Sequence, residues 1–332
     1  TASSIASTGN IQDAFATSNK ATNSLSLSAT SLTGDGAVVN SQNSDAQVSS
    51  LIGATGASAG LVGSNAGSIV DFGSTVSGSS VAVTGNMVRG SAISNVGNNT
   101  LTVAATTLTG DGTTDQAVAD SDSTTTKADF SLGNSQKLDS SATSNTQVYA
   151  TFGLDQELDQ SVSNSQIAVS NNVQFGEALG NSANNKVQLT ALGAGASGTD
   201  PTAALNNVQS GSSANIDSKS EMTLYSNIAS SGSSIAINGN NNTALAAVNN
   251  ANNTIGVSGT AVDGSTSAAA VSVTDGTTTA DYALNSKQTA GGTLDSTAKT
   301  TAYNIEKSDT TTTGILNGSA TMSKNSTTAE AS

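Results

Sequence analysis

The sequence predicts an all-β protein, a β-solenoid (β-helix) of stacked rungs of about 20 residues built from four long imperfect repeats. Three observations predict it. Large side chains are scarce: of 332 residues 3% are aromatic and 10% charged, against about 25% charged in typical soluble proteins. Short runs alternate apolar and polar residues, as in Ser80-Val81-Ala82-Val83 and Leu101-Thr102-Val103, the period of a strand. The same residue types then recur in register far apart along the chain.

The composition comes first because it limits the core. Trp, Cys and His are absent, and Arg89 and Pro201 are the single Arg and Pro. Such a chain orders itself through backbone hydrogen bonds and thin layers of small side chains, or not at all. Disordered chains combine low hydrophobicity with high net charge and abundant Pro, Lys and Glu. Here Pro is nearly missing and a net charge of −14 is spread over the whole length. Order is therefore expected up to about Asp309, with a looser tail after it.

The repeat is anchored at Ile5, Val81, Ile167 and Ile235, which lie 76, 86 and 68 residues apart. Ala follows each anchor at Ala6, Ala82, Ala168 and Ala236. Asn10, Asn86, Asn172 and Asn240 form the next column. Further columns hold Asn19, Asn95, Asn181 and Asn249, then Asn23, Asn99, Asn185 and Asn253. Paired aliphatics come next, at Leu25 and Leu27, Leu101 and Val103, Val187 and Leu189, and Ile255 and Val257. The second half of each unit varies in length. It carries weaker echoes: TTTKADFSLGNSQ at 124–136 against TTTADYALNSKQ at 277–288, and Leu138-Asp139-Ser140 against Ile216-Asp217-Ser218 and Leu294-Asp295-Ser296, with Tyr149, Tyr225 and Tyr303 beyond. These boundaries give one elongated domain, 1–332, with repeats at approximately 1–76, 77–162, 163–230 and 231–309 and a tail at 310–332.

Within a unit, two aliphatic pairs start 20 residues apart with an Asn before the second. A rung of about that length lets successive strands stack in parallel about 4.8 Å apart, each satisfying the backbone of the next. The narrow interior favours small and β-branched residues. Asn at one corner of successive rungs bonds its amide to the next along the axis, and Asn and Gly accept the left-handed backbone that corners need. The twelve Asn of the three columns are thus expected to be structural corners and ladders rather than binding residues. Four small sandwiches strung together are the competing all-β reading, but they call for a bulky core, often with a buried Trp. Ser, Thr, Asn and Gly argue against helices.

The chemistry points away from catalysis. Phosphate recognition needs Lys or Arg clusters, and an acidic chain with pI about 4.1 has none, so nucleic acid is not an expected partner. No apolar run reaches the roughly 18 residues of a membrane helix. The first residue is Thr1 rather than Met, which reads as removal of an upstream segment such as a signal peptide. Without His or Cys, nucleophilic triads and His or thiolate metal sites are excluded. The densest carboxylates, Asp155, Glu157 and Asp159, could flank a sugar or chelate calcium, but read better as a solvated strand face. Arg89 stands alone and aromatic platforms for sugars are missing. The Asp-Gly turns in LTGDG at 32–36 and 108–112, VDGS at 262–265 and TDGT at 274–277 are corner chemistry, with surface Ca²⁺ a secondary use and no cofactor expected. The Thr rows at Thr124–Thr126 and Thr277–Thr279 are too irregular for an ice-binding array.

In composition, in NNTLTV-type runs and in the repeat, the whole chain resembles the secreted β-strand-repeat surface proteins of bacteria: haemagglutinin-like β-solenoid adhesins and holdfast- or matrix-type fibre proteins. The curlin repeat spacing does not fit. The resemblance implies an extracellular or cell-surface structural role without enzyme activity. The expected function is a self-assembling filament or biofilm-matrix subunit, stacking end to end with other copies of itself and open to other matrix or cell-surface components. An adhesin stalk binding a receptor or abiotic surface is the alternative. A polysaccharide-active β-helix enzyme stands third.

Overall fold

Successive segments of this chain fall in register because they lie on top of one another. The computed structural model describes residues 4–53, 66–73, 75–110, 117–121, 124–156, 162–191, 201–259, 269–273, 276–305 and 315–332. These residues form six sheets and no helix, so no helix among them is long and apolar enough to cross a membrane. Five of the sheets are parallel stacks, an arrangement consistent with a β-helix or solenoid.

Each of the first four passes contributes to every parallel stack in the same order, the first giving sheet D two strands. Sheet A takes Ser4–Thr8, Ser80–Thr84, Gln166–Ser170, Ser234–Asn238 and Ser319–Ser323. Sheet B takes the long strands Ile11–Thr33, Met87–Thr109, Val173–Ala191 and Asn241–Gly259, then Ser326–Ala331. Sheet C is Gly36–Ser44, Phe130–Leu138, Ala203–Gly211 and Tyr282–Ala290. Sheet D is Gln47–Ile52, Thr143–Gln156, Asn215–Asn227 and Thr293–Ile305, with Ala66–Phe72 also on its second strand. Two-residue strands at Val76, Val162, Ser230 and Ile315 begin the short sheet E.

The chain therefore returns to the same column after 76, 86, 68 and 85 residues, not after the expected 20 or so. The reason is local. Leu25 and Leu27 lie on the 23-residue strand Ile11–Thr33 of the same pass as Ile5, and approach Gly36 of sheet C and pack against the cluster that holds Phe130, rather than stacking over Ile5. One repeat is one pass. The variable half has a physical origin as well. The second and fourth passes carry extra hairpins, Ala117–Ser121 with Thr124–Ala128 and Ala269–Val273 with Gly276–Ala280. The two hairpins pair antiparallel with each other into a side sheet that lies against sheet C, with Ala119 close to Gly133 and Ala128, Ala204 and Ala283 packed together. These are the 86- and 85-residue passes.

Two further sequence readings change. Residues 319–331, expected in a loose tail, pair in parallel with 234–246 and begin a fifth pass. The echo at Leu138-Asp139-Ser140 is out of register: Ser144 and Asn145 are the residues stacked on Ile216 and Asp217, and Tyr149 lies on Glu221, whereas Tyr225 and Tyr303 do share a column. The echo FSLGNSQ against YALNSKQ is in column throughout, through Ala203–Gln209 between them.

The interior is filled by thin aliphatic layers, as the composition requires. Val81, Ile167, Val169, Ile235 and Ile237 of sheet A join Val148, Phe152 and Leu224 in one cluster. Leu101, Val103, Val187 and Leu189 of sheet B meet Phe130, Leu132 and Leu205 of sheet C in a second. Burial peaks in the middle passes and fades at both edges.

Candidate functional site

The site that the sequence marks is made of amides, and the structure places all three Asn columns on the stacking axis. The first begins at a corner. Gly9, Gly85, Asn171, Gly239 and Lys324 have φ of 66, 66, 55, 66 and 55°, left-handed values suited to Gly and Asn, and each precedes an Asn. At that Asn both the backbone N–H and Nδ2 donate to Oδ1 of the Asn one pass on: Asn10 to Asn86, Asn86 to Asn172, Asn172 to Asn240 and Asn240 to Asn325, at 2.9–3.1 Å. Asn325, which the sequence reading missed, is the fifth member. The signal was there: SATMSKN at 319–325 follows SVAVTGN at 80–86 in polarity and in its final Asn.

The second column spans the core. Nδ2 of Asn19, Asn95 and Asn181 donates at 2.8 Å to Oδ1 of the next, ending on Asn249. The other Nδ2 proton crosses to a carbonyl of sheet C, at Asn43, Lys137, Ser210 and Thr289 in turn, and those four residues are themselves stacked. The column holds pass to pass and sheet to sheet at once.

The third column works in the same way with a partner the sequence reading missed. Asn23, Asn99, Asn185 and Asn253 form a chain of 2.8 Å bonds and reach across to Asn40, Asn134, Asn207 and Ser286. The latter form their own ladder through Asn40, Asn134 and Asn207. A Gln ladder runs the opposite way, with Nε2 of Gln288, Gln209 and Gln136 donating toward Gln42. The recurring Asn-x-Gln of 40–42, 134–136 and 207–209 is the signal for both. Asn95, Asn99, Asn181 and Asn185 are fully buried, and a buried amide is tolerated only when bonded.

These ladders have a direction. Among the described residues, Oδ1 of Asn19 and Asn23 on the first pass accepts no bond, while Asn249 and Asn253 on the fourth pass each have one Nδ2 proton without an Asn acceptor beneath it. The strands behave alike. Among the described residues, 11–33 pair only with the second pass, and 249–259, 282–290 and 293–305 only with the third. The core is open at this last edge, where Leu284 is 43% exposed although its column mates Leu132 and Leu205 are fully buried.

The carboxylates do not gather. Asp155 accepts from Asn227 Nδ2 at 2.7 Å and from the Gln156 N–H; Glu157 and Asp159 lie outside the described residues, as do the turns at 111–112 and 262–265. Among the described residues no three acidic side chains converge. The first-pass Asp13 takes two bonds from Arg89, which hold its carboxyl below its ordinary value. Asp217 lies in the same column as Asp295; burial first, and the neighbouring carboxylate second, push it up. The site, among the described residues, bonds strand to strand and amide to amide. Comparison with protein-family models, curated proteins and solved structures gives no match.

Proposed function

We propose that this chain is an extracellular structural protein, the self-assembling subunit of a surface filament or biofilm-matrix fibre, and that each pass is one turn of a β-solenoid. A single observation carries the reading: among the described residues the stack has a bare strand edge on each side, and the Asn ladders present acceptors at one and donors at the other while the Gln ladder presents the reverse. Unpaired strand edges recruit other strands, and unlike ends produce open head-to-tail polymers rather than closed dimers. Each junction would satisfy backbone groups, extend the Asn and Gln ladders and cover the open core. The scarcity of Lys and Arg, with ten in 332 residues, suits survival among trypsin-like proteases outside a cell. No catalytic role is assigned.

Electron microscopy of the purified full chain tests this. Long uniform fibres, one stack wide and lengthening with concentration, are expected. Isolated short rods at all concentrations would sink the filament and favour a stalk that binds at its tip.

A further inference from the structure

Resting on the self-assembly reading above, we infer that a second copy docks with a period of four passes, and that residues 319–331 occupy the place its residues 4–16 require. The interaction surface is the underside of the fourth pass, formed by 249–259, 282–290 and 293–302, and its occupant is the first pass of another copy, from Asn19 to Ile52.

The side sheet sets the period. It contributes four strands, in the order 276–280, 269–273, 124–128 and 117–121, every neighbouring pair antiparallel. The parallel stacks B and C likewise take one strand from each of four full passes, and stack D is four strands deep, with 47–52 and 66–72 sharing its first level. Only a copy placed four passes on brings its 117–121 strand below 276–280, so that both layers continue without a gap or a doubled strand.

The residues at that junction match column by column. Asn249 belongs to the column of Asn19, and Asn253 to that of Asn23, so the unused Nδ2 protons of one copy meet the unused Oδ1 atoms of the next. The Gln ladder, of opposite direction, also continues: Gln42 of the incoming copy donates to Oε1 of Gln288. Ile255, Val257 and Leu284 on the underside meet Leu25, Leu27 and Val38, the residues that head their own columns.

One conflict remains, and it identifies a competitor. At four-pass spacing the incoming residues 4–16 must pair with 234–246, where residues 319–331 already sit. The two segments are equivalent: SIASTGNIQDAFA against SATMSKNSTTAEA, with Ser, Asn and Ala in the same columns. Asn10 of the incoming copy would accept the two bonds that Asn240 gives to Asn325. A copy docked instead beneath 319–331 would leave residues 249–259, 282–290 and 293–302 facing a slot one strand deep, about 4.8 Å. The strand 319–331 is thus an internal stand-in for the next copy, exchanged when copies join.

Paired cysteines read the register, since the chain has no Cys of its own. Ser24 and Thr254 are exposed in one column three strands apart, roughly 14 Å within a copy and beyond the 7 Å reach of a disulfide; at four-pass spacing they are adjacent between copies. Ile11 and Ser326 are adjacent only if a copy docks beneath the fifth pass. Fibres of S24C/T254C and of I11C/S326C are oxidised, dissolved in denaturant and run on non-reducing gels. A ladder of covalent multimers is expected for S24C/T254C and monomer alone for I11C/S326C. Deleting residues 319–332 is expected to shorten the lag of fibre growth several-fold. Fibres that cross-link through I11C/S326C, or a shortened chain with an unchanged or longer lag, overturn the exchange and leave the filament standing. Absence of fibres in every variant overturns both.

Discussion

Nδ2 of Asn95 donates to Oδ1 of Asn181 at 2.8 Å, joining two fully buried side chains 86 residues apart in sequence. Each amide has donors and acceptors in balance, so a column of Asn can be buried without an orphan as long as no member is missing. That condition makes the columns the most sensitive polar feature of the fold.

Asn181→Ala breaks the column at its centre. It removes the bonds to Asn249 and to the Ser210 carbonyl, and leaves a proton of Asn95 unpaired. A loss of about 2–4 kcal/mol is expected, from net bond energies plus the cost of the orphaned groups. Denaturant unfolding of the full chain checks it. Asn250→Ala, on the outer face of the adjoining position, should stay within about 0.5 kcal/mol of the parent.

Leu205→Ala and Leu284→Ala probe one column at two levels. Leu205 is fully buried with Phe130 and Leu132, and its truncation should cost about 2–5 kcal/mol. Leu284 is 43% exposed at the open edge, so the same change in the monomer should cost far less. Thermal unfolding of both variants checks the ordering. Equal losses would contradict an open core at the fourth pass.

Gly153→Ala places a Cβ against the ring of Tyr225, which lies in the adjacent pass at the same register and is 2% exposed. Overpacking of this kind costs about 1–3 kcal/mol. Combining it with Tyr225→Leu, which withdraws the ring, should recover part of the loss relative to Tyr225→Leu alone. A double-mutant cycle measures that coupling.

Asp217 gives the stability a pH dependence with a definite sign. Its folded-state value lies above the ordinary 3.8, because burial and then Asp295 disfavour the carboxylate. A raised acid contributes stability that is complete below the unfolded value and is lost as pH rises through the folded one. Asp217→Asn should therefore stabilise the chain at neutral pH and flatten the slope just above 3.8. Asp13 has the opposite sign. Its bonds from Arg89 lower its value, so that contribution is present at neutral pH and fades as pH falls through the lowered value. Unfolding midpoints between pH 3 and 7 for the parent, Asp217→Asn and Asp13→Asn check both.

The three Asn columns were legible because parallel, in-register stacking sets like on like, and an unbroken first half keeps the spacing within each pass constant. Asn40, Asn134, Asn207 and the Gln ladder follow stretches of different length, which conceals their alignment from any fixed offset. The false echo at Leu138 shows the converse: in a chain of few residue types, short matches arise without sharing a column.

By itself, the sequence determined an all-β chain, its corner residues and the columns that repeat, since composition and periodicity act through local backbone preference and the two faces of a strand. Only the tertiary structure decided how far the chain travels before it meets itself. Return after 20 residues and return after 76 present the same alternation; the difference lies in which distant strands pair, and that is settled by Leu25 and Leu27 packing across the core onto sheet C and by the hairpins that pair outside it.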